Sequence, residues 1–239
     1  WSALVDSHIR GDISEQSTEQ WGTLLLQGLC EAGLAGIRPK AIAAAGPLAG
    51  YVALDSEGHA LCPAVMYTDR RSAPEAKFVE AIALVQPDDS GLRVHIADPI
   101  PQWLRLCREF PEVAEKTAYF LDATGWINFF LTGQATVNAF TGLRLYTSET
   151  QNKLGLKNPP FGKITPLGQA IGILRPSIAQ ALGVDSAQVI SATFDSKCAY
   201  LGSGLSTPGQ ATEISGTVSS LGVLSNKHIQ DKTRRIYSV

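Results

Sequence analysis

VISATFDSKCAYLGSG, residues 189–204, passes from a short apolar run into residues that are spaced as on a helix. Val189 to Ala192 is typical of a buried strand, and the small and apolar residues after Asp195 recur at helical intervals. Asp195 therefore falls at a strand-to-helix corner. A carboxylate at such a corner is well placed for proton transfer; the alternative is a helix cap, since Asp is a common N-cap residue.

The same region continues into two strand-like runs separated by Gly216 and Thr217. The turn signal Pro208-Gly209 precedes the first run, and the second run covers residues 218–224. A Gly-Thr turn between strands offers backbone N–H groups and a hydroxyl to a phosphate. The alternative is an ordinary hairpin turn, because glycine is common in turns for steric reasons.

The rest of the chain alternates short apolar runs with helical periods, which predicts an α/β fold with a mixed sheet. Residues 41–45 and 189–192 are predicted strands of that sheet. The capping-box pattern Ser17-x-x-Gln20 predicts the start of the first helix. The remaining predicted elements are a hairpin with strands 51–54 and 60–65, a short strand 118–121, and helices 72–85, 101–110, 112–116, 123–131 and 176–182.

Composition narrows the classes of function. Hydrophobic residues make up 44% and charged residues 18%, which favours a folded core over disorder. The formal net charge is -2 and basic residues do not cluster, so a nucleic-acid partner is not expected. The longest apolar run, residues 41–54, is too short to span a bilayer, and no signal peptide is visible at the start. These features predict a cytoplasmic enzyme with no membrane partner.

Cysteine and histidine spacing gives no sign of a metal site. The four cysteines are far apart and form no C-x-x-C pair, which makes zinc binding improbable. We predict free, mostly buried thiols in a reducing compartment. The four histidines are isolated and are interpreted as surface residues, so no metal ligand is predicted.

Three upstream segments carry a shared pattern: WSALVDSHIRGDISEQSTEQW at 1–21, AIAAAGPLAGYVALDSEGHALCPAVMYTDRR at 41–71, and LDATGWINFFLTG at 121–133. Together with residues 189–224, they resemble the FGGY carbohydrate kinases in order and in spacing. The resemblance implies a ribonuclease H-like (actin-like ATPase) fold, with a mixed sheet flanked by helices. It also implies a sugar or polyol kinase that uses ATP and Mg2+.

The resemblance gives roles to the residues of the corner and of the downstream turn. Asp195 matches the general base that takes the proton of the sugar hydroxyl during phosphoryl transfer. Gly216 and Thr217 match the turn that binds ATP phosphate, and Ser219 or Ser220 stands in for the family's serine, with a valine interposed.

The substrate-binding residues implied by the resemblance are Pro47, Leu48, Asp69 and Phe194. Pro47 and Leu48 occupy the sugar-contact turn, where family members usually have polar residues. Asp69 lies in YTDRR, where the family has Trp-x-Asp-x-Arg; the alternative is a solvated turn acid. Phe194 stands where the family usually has glycine. Asp122 matches an acid that we interpret as a structural helix cap.

The resemblance covers most of a sugar-binding domain in residues 1–207 and the start of an ATP-binding domain in residues 208–239. The family's first phosphate hairpin and the rest of its second domain have no counterpart here. We therefore expect the isolated chain to be inactive and a longer protein to phosphorylate a small-molecule ketose or polyol. A homodimer is compatible with this. The altered turn at Pro47 and Leu48 supports the alternative of a non-catalytic sugar-binding or scaffold protein on the same fold.

Overall fold

The computed structural model describes residues 1–83, 94–145, 148–156, 158–215, 219–227 and 229. Its strands are β1 (Ser7–Arg10), β2 (Ile13–Gln16), β3 (Ala41–Ala43), β4 (Tyr51–Leu54), β5 (Ala64–Val65), β6 (Tyr119–Asp122), β7 (Thr136–Asn138), β8 (Lys163–Thr165), β9 (Ala170–Ile173), β10 (Gln188–Ile190), β11 (Ala211–Ser215) and β12 (Ser219–Val223). Its helices are α1 (Thr18–Leu34), α2 (Ala73–Ala83), α3 (Pro99–Glu109), α4 (Pro111–Lys116), α5 (Ala123–Thr132), α6 (Ala139–Leu143), α7 (Ser148–Lys153), α8 (Pro176–Leu182) and α9 (Asp195–Gly202).

Two larger sheets organise the chain. One has the order β1-β2-β5-β4-β6 and is antiparallel throughout. The other has the order β3-β10-β9, in which β10 runs parallel to β3 and antiparallel to β9. The strands predicted at 41–45 and 189–192 are therefore direct neighbours. This mixed sheet with flanking helices confirms the predicted fold class.

Strand β4 lies at the centre of the hydrophobic core. All of its residues are buried, because successive side chains point to opposite faces of the sheet and both faces are covered. Tyr51 and Ala53 pack in the cluster that includes Trp103 of α3. Val52 and Leu54 pack in the cluster that includes Trp126 of α5. The loop that precedes β4 is thereby attached to a rigid strand.

Helix α1 begins as predicted, but its capping box is only half formed. Ser17 is the N-cap, and its hydroxyl accepts a hydrogen bond from the Gln20 backbone N–H at 3.2 Å. The Gln20 side chain bonds Asp6 instead of returning to the Ser17 backbone. The N-terminal segment before β1 is thus joined to the first turn of α1.

Several predicted boundaries are corrected by the structure. The second strand of the hairpin is only Ala64–Val65, because Pro63 has no backbone N–H to donate to the ladder. Helix α3 begins at Pro99, where proline is tolerated because the first helical N–H has no partner within the helix. Helix α2 runs over Ala73–Ala83, and the rest of the predicted 72–85 helix lies outside the described residues. Helix α8 matches its prediction, 176–182.

The four cysteines are free thiols, as predicted, but each is only half-buried. Of the histidines, His8, His59 and His95 are exposed, and His228 lies outside the described residues. Within the described ranges, none of the helices has the length and apolar character needed to cross a membrane.

Candidate functional site

Asp195 is the first residue of α9 and lies at the predicted corner. Its backbone N–H donates to the Gly46 carbonyl at 2.9 Å. Its side chain is exposed, and one carboxylate oxygen accepts a hydrogen bond from the Ser196 N–H at 2.7 Å. Phe194, not Asp195, occupies the N-cap position, so the alternative of Asp195 as an ordinary N-cap is wrong. The carboxylate is thus accessible to a ligand.

The predicted sugar-contact turn lies directly beside this corner. Pro47 is half-buried, and Leu48 is 41% exposed. Ala49 has a φ of 58°, in the left-handed region that a residue with a Cβ occupies at a cost of about 1–3 kcal/mol. The turn presents the apolar side chain of Leu48 to solvent.

Gly46 joins the turn to the corner. Its N–H donates to the Thr124 hydroxyl at 3.0 Å, and its carbonyl accepts from Asp195. A Cβ at this position would lie 2.9 Å from the Thr124 nitrogen and 3.0 Å from the Ala123 Cβ, so only glycine fits. Pro47, Leu48 and Asp195 are therefore brought together against the first turn of α5.

The start of α5 is fixed by Asp122, which acts as the predicted helix cap. Its carboxylate accepts from the Gly125 N–H at 2.6 Å, from the Thr141 hydroxyl at 2.5 Å and from the Asn138 amide at 3.1 Å. Burial raises the pKa of Asp122, while the bonds from Thr141 and Gly125 act in the opposite direction. These bonds join α5 to α6 and make the surface under the turn rigid.

Phe194 packs into the protein. Its side chain is 5% exposed, and its ring lies 4.8 Å from that of Phe140, centroid to centroid, with the planes inclined at 57°. The residue therefore anchors the corner to α6. Its predicted contact with a sugar stays a prediction.

Asp69 is not a solvated turn acid, and that alternative is wrong. Its side chain is 0% exposed. It accepts hydrogen bonds from the Ser14 N–H at 2.9 Å and from the Arg71 guanidinium at 2.7–3.0 Å. Although burial acts to raise it, the bonds from Arg71 and Ser14 hold the pKa of Asp69 below its ordinary value. Asp69 ties the loop after β5 to β2, and its direct contact with a sugar stays a prediction.

The hairpin of β11 and β12 follows α9. Ser215 pairs with Ser219 in the register, and their hydroxyl oxygens are 3.2 Å apart. Gly216 and Thr217, the predicted phosphate-binding residues, lie outside the described residues. The Tyr200 hydroxyl of α9 donates to the Ser220 hydroxyl at 2.6 Å. The helix that starts at Asp195 is thereby connected to β12.

The described groups fit ATP and Mg2+ to different degrees. Exposed serine hydroxyls lie where β11 ends and β12 begins, and a hydroxyl can donate a hydrogen bond to a phosphate oxygen. For Mg2+, the described ranges contain no group of three or more carboxylate, histidine or cysteine side chains that could hold a metal ion. We therefore assign no set of metal ligands.

Sequence reasoning missed two buried polar contacts. Thr124 is buried and binds Gly46 across 78 residues of sequence, a contact that no local pattern signals. Asp98 and Arg144 form a buried ion pair between α3 and the end of α6. Burial raises the pKa of Asp98, while Arg144 acts to lower it. The sequence signal for this ion pair is that Asp98 and Arg144 each lie among mostly apolar neighbours.

Comparison with known proteins finds relatives along most of this chain. A sequence model of the family described as "FGGY family of carbohydrate kinases, N-terminal domain" matches residues 10–202. A rhamnulokinase of Oceanobacillus iheyensis is 29% identical over 191 residues, which cover 72% of this chain and 39% of that protein. A xylulose kinase of Bacillus subtilis is 23% identical over 219 residues, which cover 85% of this chain and 44% of that protein.

Solved structures share the fold. A xylulose kinase from Rhodospirillum rubrum superimposes with a TM-score of 0.84 at 20% identity, covering 93% of this chain and 50% of that one. A gluconate kinase from Lactobacillus acidophilus gives 0.82 at 16% identity, covering 96% and 49%. The chain spans less than half the length of the two curated relatives, 39% and 44%.

Proposed function

The chain belongs to the FGGY family of carbohydrate kinases, and on that premise we propose that the protein containing it transfers a phosphoryl group from ATP to a hydroxyl of a sugar or polyol. The observation that carries the proposal is the exposed Asp195 carboxylate at the strand-to-helix corner, joined through Gly46 to the turn at Pro47 and Leu48. A base and a surface for substrate are thereby adjacent.

Asp195 acts as the general base in this proposal. Its carboxylate accepts the proton of the substrate hydroxyl as that oxygen forms its bond to the transferred phosphorus. ATP would supply the phosphoryl group, ADP would be the leaving group, and Mg2+ would neutralise charge on the phosphates. The corner contributes position, because phosphoryl transfer depends mainly on alignment and electrostatic stabilisation.

We assign residues 1–207 to the sugar-binding domain and residues 208–239 to the start of the ATP-binding domain. The family match that ends at residue 202 supports this boundary, as does the separate β11–β12 hairpin. Gly216 and Thr217 follow β11 and are proposed to bind phosphate through backbone N–H groups and the threonine hydroxyl.

The substrate is proposed as a class. The relatives are named for several sugars, among them rhamnulose and xylulose, which supports a ketose or a polyol. The turn residues Pro47 and Leu48 would contact the apolar C–H surface of the substrate, since their side chains have no hydrogen-bonding group. The free thiols and the use of ATP favour the cytoplasm as the location.

A second candidate is a non-catalytic sugar-binding or scaffold protein on the same fold. The apolar turn at Pro47, Leu48 and Ala49 favours it, because polar hydroxyls of a sugar would find only backbone partners there. The exposed Asp195 favours the kinase.

The two candidates are separated by one pair of measurements on the natural protein that contains this chain. ADP release is measured with ATP, Mg2+ and a panel of ketoses and polyols, and sugar binding is measured by calorimetry. Turnover that Asp195→Asn lowers by about two to four orders of magnitude, with binding retained, supports the kinase. Binding without turnover in the wild type supports the second candidate. The matched control is Asp185→Asn, which alters an exposed acid in the loop after α8.

A further inference from the structure

Thr124 contacts the corner without touching Asp195. Its side chain is 1% exposed, and its hydroxyl accepts the Gly46 N–H at 3.0 Å. The Gly46 carbonyl in turn accepts the Asp195 N–H at 2.9 Å. Gly46 therefore links the buried Thr124 hydroxyl to the backbone of Asp195, the proposed base.

The Gly46 segment has no room to move toward α5. The Cβ that glycine lacks would be 2.9 Å from the Thr124 nitrogen and 3.1 Å from the Ala123 carbonyl carbon. Without the Thr124 hydroxyl, the Gly46 N–H would be buried and unpaired. Movement away from α5 toward water is then the available way to satisfy it, because an unpaired buried N–H is costly.

Thr124 itself is held by a rigid surrounding. It lies in the first turn of α5, two residues after the cap residue Asp122. Asp122 is fixed by bonds to Gly125, Asn138 and Thr141. The Thr124 hydroxyl is therefore held in place, and its hydrogen bond holds the Gly46 segment in position.

Building on the proposed kinase function, we propose that Thr124 is a positioning residue for Asp195, and that its hydroxyl sets the place of the base through Gly46. A base must reach the substrate proton within hydrogen-bonding distance. A shift of the Gly46 segment moves the Asp195 backbone, and with it the carboxylate, relative to the substrate hydroxyl.

The first test compares three variants of the natural protein that contains this chain. Thr124→Val removes the hydroxyl at nearly constant volume, and we expect kcat to fall about ten- to a hundredfold, the usual cost of a displacement of about 1 Å. The KM for ATP should be unchanged. Thr124→Ser retains a hydroxyl and should restore kcat. The matched control is Thr136→Val, since the buried Thr136 hydroxyl has no hydrogen-bond partner among the described residues.

The second test asks whether Thr124 acts through Asp195. In the Asp195→Asn background, Thr124→Val should change the remaining kcat by less than about twofold, the scatter expected when no interaction is left to lose. A full additional loss in that background would overturn the proposal, as would normal kcat in Thr124→Val alone. Both results leave the kinase function standing if Asp195→Asn alone lowers turnover by about two to four orders of magnitude.

A third measurement does not need activity. In the natural protein that contains this chain, amide hydrogen exchange should become faster at Gly46 and Asp195 in Thr124→Val, and should be unchanged there in Thr136→Val. Unchanged exchange in both variants would refute the structural link. If the wild-type protein has no kinase activity, the proposed function fails, and the exchange rates still decide whether Thr124 holds the corner.

Discussion

Two acids of this chain, Asp195 and Asp69, match family patterns in the sequence, but they differ in burial and in the number of hydrogen bonds that they accept. Asp195 is exposed and accepts a hydrogen bond from its neighbour Ser196. Asp69 is fully buried, and both of its oxygens accept bonds from Arg71, with Ser14 adding a further bond. The number of protein groups that already bind a carboxylate separates an acid available for chemistry from one that holds the structure. The following changes test that distinction.

The largest effect is expected from Asp195→Asn in the natural protein that contains this chain. If this acid is the base, turnover should fall by about two to four orders of magnitude. The melting temperature should stay near that of the wild type, because an exposed residue with one local bond contributes less than about 1 kcal/mol. Steady-state kinetics and thermal unfolding on the same preparation measure both. Normal turnover would place Asp195 with the structural acids.

Asp69→Asn in the 239-residue chain is expected to lower stability, which Asp195→Asn should leave almost unchanged. The amide is uncharged and has only one oxygen to accept from Arg71, so the ion pair is lost. The unfolding free energy should fall by about 2–4 kcal/mol, somewhat less than for a fully buried pair because Arg71 is partly exposed. Urea unfolding followed by circular dichroism measures the change. The control is Asp185→Asn, an exposed acid. A variant as stable as the control would show that the buried pair contributes little.

The same pair makes a prediction about pH. Because the pKa of Asp69 is lowered by folding, its contribution is fully present above the unfolded value of about 3.9. The contribution is lost as the pH falls through the lower, folded pKa. Below pH 4, the wild type should therefore lose stability more steeply than Asp69→Asn. Equal slopes in urea titrations across that range would contradict the role given to Arg71.

The smallest effect is expected from Arg71→Lys. Lysine keeps the charge but cannot form the forked contact with both Asp69 oxygens and Glu15. We expect a loss of about 1 kcal/mol in urea unfolding, well below that of Asp69→Asn. A loss as large as that of Asp69→Asn would mean that geometry, and not charge, accounts for the pair.

Local patterns were enough to predict the elements that meet at the site. Helix α8 has its predicted bounds, Asp122 caps α5, and the two predicted strands of the mixed sheet pair directly. In each case the signal lies within a few neighbouring residues: a proline and a glycine at the helix ends, an acid before an apolar helix, and short apolar runs. The Asp195 corner was predicted for the same reason.

What escaped prediction depends on contacts far apart in sequence or on weak patterns. Burial of Asp69 depends on Ser14, 55 residues away, and the Gly46 contact spans 78 residues. Strand β1 is exposed along its whole length, so it has no alternation of apolar and polar residues to reveal it. A cap can be recognised from its neighbours, whereas a buried ion pair requires knowledge of the fold.

The bond between Tyr200 and Ser220 has a mechanical consequence for the corner. Helix α9 is about 12 Å long at 1.5 Å per residue, and it carries Asp195 at one end and Tyr200 in its last turn. A helix this short transmits displacement without bending. A shift of the β11–β12 hairpin would therefore move helix α9 as a rigid body and displace the Asp195 carboxylate. The position of Asp195 would then depend on the position of β11 and β12.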